Sequence, residues 1–314
     1  MRSLERIIFM GTPQFAVPTL QALVTNNKKP LLVITQPDRK RGRRQKVSYS
    51  PVKKVTLEND LPLIQPESVN RQSVIDEVRS YDPQLIITAA FGKILGKRFL
   101  NIADYGCINL HPSLLPKYRG PSPVNWTLFN AEEITGNTIF YVNSHMDAGD
   151  IILQSRIMIQ FNDTYGSLLK KLSEKGAKDI LKALSLIEEC KDVPQPQNDR
   201  YATYSKLITR ETCKINWADS AKTIYWKIRG LSPYPGAFSY LKGRELKILE
   251  AVPTIQEHPS CGKVVEILKG EGFLVTTGYR LLLVKKVKPA GKPEMSAYAY
   301  CLGAHILNEY FTND

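Results

Sequence analysis

The sequence predicts an α/β chain in two parts. Over residues 1–190, continuous apolar runs rich in β-branched residues alternate with helix-spaced stretches. Runs of that kind are buried on both faces, so they pair as a mostly parallel sheet between helices. A polar, proline-containing stretch without periodicity, residues 191–207, then breaks the pattern and reads as a linker. Residues 208–314 carry short strands punctuated by turns, which points to a small barrel. The expected architecture is therefore a Rossmann-like domain over 1–190, a linker over 191–207 and an OB-like β-barrel domain over 208–314.

Each element has its own signal. "RIIFMG" (residues 6–11) is an apolar burst closed by glycine, and "AVPTLQALV" (16–24) follows with helical spacing. "PLLVITQP" (30–37), "PQLIITAAFG" (83–92) and "CINLHP" (107–112) repeat the buried-strand theme. "NTIFYVNSHMDAGDIILQSRIMI" (137–159) reads as two strands joined by a loop at Met146–Gly149. A helix is expected over about Tyr165–Glu189, because Leu168, Leu172, Ile180, Leu184 and Ile187 fall near one face. Asp163 or Thr164 suits its N-cap. After the linker, "SAKTIYWKIRGL" has helical spacing, and "AFSYLKGRELKILEAV", "GKVVEIL" and "GFLVTTGYRLLLVKKV" supply the short strands.

The totals narrow the function classes. At 314 residues, with 43% hydrophobic and 23% charged, the chain has the make-up of globular domains. No apolar run approaches the roughly 20 residues that span a bilayer, and the N-terminus lacks a signal-peptide core. No membrane association and a cytoplasmic location are expected. Cys107, Cys190, Cys213, Cys261 and Cys301 are odd in number and scattered, which argues against disulfides and a zinc knuckle alike. No metal is implied.

Net charge is +13, and Asp38–Lys54 concentrates much of it, with eight basic residues against one acid. Residues 1–207 are otherwise close to neutral. A patch so localised suits a polyanionic partner, with Arg39, Lys40, Arg41, Arg43, Arg44 and Lys46 placed to grip phosphates. Lys285, Lys286 and Lys288 in "YRLLLVKKVKPAGK" offer a second contact on the barrel.

The chemistry centres on "CINLHPSLLPKYRGPSPVNW" (107–126). In an open parallel sheet, ligands bind beyond the carboxyl ends of the strands. Asn109 and His111 are two apart on such a strand and share a face. An amide N–H with an imidazole suits a carbonyl oxygen that becomes negative when attacked. Prolines at 112, 116, 121 and 123 stiffen the adjoining wall. Asp147, in "HMDAGD", is a carboxylate that could orient His111 or hold a water, although turn capping is the commoner role of such a residue. "MGTPQF" lacks the glycines of a dinucleotide turn, and no P-loop, G-x-S-x-G or H-E-x-x-H motif is present.

These residues resemble those of the methionyl-tRNA formyltransferase family nearly end to end. "FMGTPQFAVPTLQAL" is similar to its opening signature and "VITQPDRKRGRRQKVSYSPVK" to its inserted loop. "NLHPSLLPKYRGPSPVNW" resembles the core motif of enzymes using 10-formyltetrahydrofolate; "IRGLSPYPGAF" and "VKPAGKPEMSA" resemble segments of the tRNA enzymes. The resemblance implies formyl transfer from 10-formyltetrahydrofolate to the α-amine of initiator methionyl-tRNA. It gives Asn109 the role of oxyanion stabiliser, His111 that of polarising or protonating the formyl oxygen, and Asp147 that of supporting His111 and moving protons. Ser113, Leu114, Leu115 and Pro116 match the folate-lining stretch. The inserted loop, about residues 37–52, would meet the acceptor end of the tRNA, and a monomer is expected. The family loop reads L-D-T-G-D where this chain has Met146–Asp150, so Ala148 lacks the hydroxyl. A small-molecule formyltransferase or a formyltetrahydrofolate hydrolase is the nearest rival, and an RNA-binding protein without catalysis is the rival from another class.

Overall fold

The amino-terminal apolar run forms β1 (Ile7–Gly11), buried along its whole length in the computed structural model. The structure describes residues 3–41 and 46–312. After α1 (Val17–Thr25) and β2 (Leu32–Ile34), residues Arg39–Arg41 (β3) and Lys46–Ser48 (β4) pair as an antiparallel hairpin, Arg39 opposite Ser48. Then come α2 (Pro51–Glu58), β5 (Leu63–Ile64), α3 (Gln72–Ser80), β6 (Leu85–Ala89), α4 (Lys97–Leu100), β7 (Cys107–His111) and α5 (Pro123–Phe129). The antiparallel strands β8 (Ile134–Tyr141) and β9 (Ile151–Met158) precede α6 (Tyr165–Glu188).

The main sheet has the order β5-β2-β1-β6-β7-β8-β9. It is parallel from β5 to β7 and antiparallel beyond. One face buries Ile8, Met10, Leu32, Ile34 and Ile86 against Val74, Ile75 and Val78 of α3 and Phe99 of α4. On the other face α6 comes close: a Cβ at Gly176 would lie 2.6 Å from the Leu110 side chain. The helix starts where the sequence suggests, with Thr164 and Ser167 exchanging hydrogen bonds between side chain and backbone N–H, a reciprocal cap. α2 is capped by Ser50, whose Oγ accepts from Lys53 N, with Pro51 in its first turn.

Contacts divide the chain into two units, and the division is not contiguous. The first comprises Met1–Pro123, Ile134–Met158 and Leu169–Ser205; the second comprises Val124–Glu133, Ile159–Leu168 and Lys206–Asp314. Residues 191–205 are thus packed with the sheet domain. Backbone bonds join Ile151 and Gln195 in both directions at 2.8 Å.

In the second unit, α7 (Arg210–Cys213) and α8 (Ala221–Leu231) precede β10 (Ala237–Leu241), β11 (Arg244–Pro253), β12 (Val264–Leu268), β13 (Gly272–Thr276), β14 (Leu281–Pro289) and β15 (Met295–Ser296). They are followed by α9 (Ala297–Ala304) and β16 (Phe311–Thr312). Its antiparallel sheet runs β12-β13-β14-β11-β10-β16, with β15 against β14. Register shifts around Glu250 mark a bulge in β11, and bulges of this kind curl a sheet toward closure. The core inside the curl gathers Ile215, Ile224, Ile228, Ile248, Phe273 and Leu282. Rossmann-like and OB-like architecture is what the strand pattern called for. No helix among the described residues is long and apolar enough to cross a membrane.

Candidate active site

β7 carries the central pair to the carboxyl edge of the parallel strands. Every residue of β7 is buried except Asn109, which is half-buried; His111 is only 5% exposed. Asn109 lies opposite Thr88 of β6. The Thr88 hydroxyl donates to Asn109 Oδ1 at 2.7 Å, with the Ile108 carbonyl farther off at 3.2 Å. That contact assigns the amide: Oδ1 is occupied, and Nδ2 has no hydrogen-bond partner among the described residues.

The His111 ring is fixed from the loop that follows it. Nε2 lies 2.9 Å from the Tyr118 carbonyl oxygen. A carbonyl can only accept, so Nε2 carries the proton and Nδ1 is the nitrogen left for chemistry. Tyr118 adopts φ 61°, a left-handed conformation uncommon outside glycine. The ring edge meets Phe140 with centroids 6.5 Å apart.

Asp147 reaches this pair from a distant part of the chain. The loop after β8 begins near the amino end of β7, where Val142 N bonds Cys107 O, yet Asp147 Oδ2 stands 3.7 Å from His111 Nδ1. This is ion-pair distance and too long for a hydrogen bond. The same oxygen accepts from Gly120 N at 2.8 Å, and Oδ1 has no partner among the described residues. Asp147 itself has φ 49°. Gly149 allows the loop to turn so tightly, since a Cβ there would sit 1.6 Å from the Tyr141 carbonyl oxygen.

The stretch Ser113–Pro116 lies directly beside the pair. Thr138 Oγ1 donates to Ser113 O at 2.7 Å and accepts from Leu115 N at 3.1 Å, locking this backbone to β8. Ser113 and Leu115 are buried, and the Ser113 hydroxyl is turned inward to Lys117 O at 2.7 Å. Leu114 and Pro116 remain half-exposed and are the side chains of this stretch that a ligand can touch.

A family model described as Formyl transferase matches residues 5–184, and one described as Formyl transferase, C-terminal domain, matches residues 207–305. A protein named methionyl-tRNA formyltransferase from Caldanaerobacter subterraneus is 40% identical over 303 residues, 96% of this chain and 97% of that one. The chain belongs to the methionyl-tRNA formyltransferase family. Among solved structures, HypX from Aquifex aeolicus in complex with tetrahydrofolic acid superposes with a TM-score of 0.67 at 19% identity, covering 95% of this chain and 47% of that one. An N-formyltransferase from Helicobacter canadensis, bound to folinic acid and dTDP-3-aminofucose, gives 0.65 at 21% identity, covering 89% and 98%. These two likenesses carry the fold.

In this formyltransferase the basic segment starts from a well-anchored foot. Lys53 Nζ donates to Asp38 Oδ2 at 2.5 Å and to Gln65 Oε1 at 2.7 Å, while Gln65 Nε2 donates to Gln36 O and Asp38 Oδ1. Burial works against the Asp38 carboxylate, but the hydrogen bonds from Lys53 and Gln65 outweigh it and hold its pKa below the ordinary value. Lys53 also lies over the Tyr49 ring, 4.1 Å from its centroid. Arg39, Lys40 and Arg41 are on β3 and Lys46 on β4. Arg43 and Arg44 lie outside the described residues.

Of the barrel lysines, Lys288 on β14 is exposed and lies opposite Lys247 of β11. Lys285 and Lys286 are half-buried, and Lys286 is partly neutralised by Glu294 at 3.7 Å. Among the described residues no group of His, Cys, Asp and Glu is placed to hold a metal ion.

Sequence reasoning missed Thr88, Tyr118, Gly120 and Gln197. Gly120 had a readable signal, being a glycine inside the proline-rich motif. The others act through a hydroxyl, a backbone carbonyl and an amide contributed from far along the chain, and no local pattern marks them.

Proposed function

We propose that this chain transfers a formyl group from 10-formyltetrahydrofolate to the α-amine of initiator methionyl-tRNA, using Asn109, His111 and Asp147. The observation that carries the reading is the convergence of Asp147 on His111, 3.7 Å apart across 36 residues of sequence, in a chain alignable over 96% of its length with a methionyl-tRNA formyltransferase.

The fit to a formyl donor rests on Asn109 Nδ2, which has no partner among the described residues, and on the half-exposed apolar side chains of Leu114 and Pro116 just beyond His111. The folate supplies the one-carbon group as an amide-like carbonyl. Attack by the amine forms a C–N bond as the carbonyl π pair moves onto oxygen. Asn109 Nδ2–H meets that growing charge; one such preorganised donor typically contributes about 2.7–4 kcal/mol. When that pair returns, the bond from the formyl carbon to the folate nitrogen breaks, and that nitrogen leaves as an amine that takes up the proton shed by the attacking one.

Because His111 Nε2–H is committed to Tyr118 O, its help to the same oxygen comes from Nδ1, and only when Nδ1 also carries a proton. Asp147 Oδ2 lies 3.7 Å from Nδ1, facing the position of that N–H. Asp147 Oδ1 is free to accept the proton shed by the attacking amine. An aminoacyl ester's amine is more acidic than that of lysine, so a carboxylate is base enough.

The basic hairpin and the barrel lysines would hold the tRNA, with their charge setting affinity and salt dependence. A monomer working in the cytoplasm suits this arrangement. The test compares charged initiator methionyl-tRNA, charged elongator methionyl-tRNA and free methionine as acceptors. Strong preference for the initiator is the expected result. Formyl loss to water or to a small amine, without use of tRNA, would overturn the substrate assignment and leave the chemistry standing.

A further inference from the structure

We propose that Gln197 is a positioning residue for formyl transfer, setting the Asp147 loop through a brace that runs from buried Arg119. The inference rests on the assignment of Asp147 made above.

Gln197 uses its whole side-chain amide. Its Nε2 donates to the Asp147 carbonyl at 2.9 Å and to the Gly149 carbonyl at 2.8 Å. Its Oε1 accepts from Arg119 Nε at 3.1 Å and from Arg119 Nη2 at 2.8 Å. Two donors on one side and two acceptor bonds on the other fix the amide in a single orientation. Arg119 is 3% exposed, and its Nη2 also pairs with Asp199 at 2.8 Å.

The brace holds both walls of the site at once. Arg119 N donates to Thr203 O at 2.9 Å, and Ser205 N donates to Arg119 O at 2.7 Å. Tyr118 N donates to Thr203 Oγ1 at 2.8 Å, and Tyr118 O is the acceptor of His111 Nε2. Gly120 N, the next residue's amide, holds Asp147 Oδ2. One segment, residues 195–205, therefore fixes the wall that orients His111 and the loop that presents Asp147. Asp147 lacks a direct hydrogen bond to His111, so their separation depends on this outer frame. An error of about 1 Å in such a separation can cost about 100-fold in rate.

Position 148 fits the same account. The bonds that hold this loop come to backbone carbonyls of its neighbours, so the hydroxyl absent at Ala148 is not needed for them.

The test is Gln197→Glu, which keeps the size and the acceptor for Arg119 but removes both N–H donors and sets a carboxylate against two carbonyls. Asp147→Asn serves as the reference. For Gln197→Glu we expect kcat to fall by about 10- to 100-fold. KM for folate and for tRNA should stay within about 3-fold, because the Gln197 amide is already committed to Arg119 and to the Asp147 and Gly149 carbonyls. The His111 ring resonances should move in the ligand-free protein, a readout that general loosening elsewhere would not give. Wild-type kcat with unmoved resonances would overturn the proposal. An active Asp147→Asn would instead sink the assignment of Asp147, whatever Gln197→Glu does. If Gln197→Glu does not fold, Asp199→Asn loosens Arg119 from an exposed position. A several-fold loss of kcat at constant KM then supports the brace, and an unchanged kcat counts against it.

Discussion

Thr88 and Asn109 sit opposite each other on β6 and β7, and the Thr88 hydroxyl donates to Asn109 Oδ1 at 2.7 Å. A neighbour chosen by sheet register thus decides which end of the amide is free. Thr88→Val keeps the shape but releases the amide to turn. Turnover should fall by about 10-fold, against roughly 100- to 1,000-fold for Asn109→Ala, with tRNA affinity unchanged in both. Single-turnover formyl transfer measures this, and a Thr88→Val enzyme at full speed would show that the hydroxyl does not set the amide.

The two nitrogens of His111 face different partners, Nε2 the Tyr118 carbonyl and Nδ1 the Asp147 carboxylate. Gln at this position can place its amide N–H where Nε2–H now meets Tyr118 O, while offering nothing at Nδ1. His111→Gln should therefore stay folded and lose about 100-fold or more in kcat. Thermal unfolding alongside steady-state kinetics separates the two effects. Normal turnover would remove the imidazole from the mechanism.

Gly120 combines φ 109° with a site where a Cβ would lie 2.6 Å from the Ser205 carbonyl oxygen. Any side chain strains the backbone and pushes away the segment that carries Gln197. Gly120→Ala should cost about 1–3 kcal/mol in stability and lower kcat as well, since Gly120 N holds Asp147 Oδ2. A variant that loses stability but keeps kcat would mean that this N–H does not matter for placing Asp147.

Replacing Arg41, Arg43 and Arg44 with Ser should weaken tRNA binding and flatten its dependence on salt. Each phosphate contact removed should lower the slope of log K against log salt by about 0.7–0.9. Filter binding over a salt series reads it directly. An unchanged slope would show that the segment stays solvated when tRNA binds.

The cysteines should divide by burial. Cys190 and Cys261 are exposed, while Cys107, Cys213 and Cys301 are buried. Burial also raises the thiol pKa of Cys301 to about 11 and pushes that of Cys107 higher still, and the protonated form is the unreactive one. Brief alkylation of the native protein near neutral pH should label Cys190 and Cys261 alone. Labelling of Cys107 before unfolding would mean that β7 opens readily.

Much of this molecule could be read along the chain. The strands β1, β6 and β7 are continuous apolar runs because both of their faces are covered. The helix α6 shows its buried Leu168, Leu172, Ile180, Leu184 and Ile187 at helical spacing. The pair Asn109 and His111 was legible because residues two apart on a strand must share a face. Segment 191–207 shows the opposite case: it reads as a connector, yet its residues up to Ser205 pack with the sheet domain. Its attachment uses backbone groups and polar side chains such as Gln197, Asp199 and Thr203, which leave no apolar periodicity to detect.

The sequence by itself determined the alternation of sheet and helix, the small β domain, the localised basic segment and the presence of an amide, an imidazole and a carboxylate in telling motifs. Hydrophobic period and charge are local properties, so a single chain displays them. Tertiary structure alone decided that Asp147 comes within 3.7 Å of His111, that Nε2 rather than Nδ1 faces the Tyr118 carbonyl, and that Thr88 bonds Asn109 while Gln197 bonds the Asp147 loop. Those relations depend on contacts between residues 7 to 78 positions apart, and such contacts are selected by three-dimensional register, which no stretch of sequence contains.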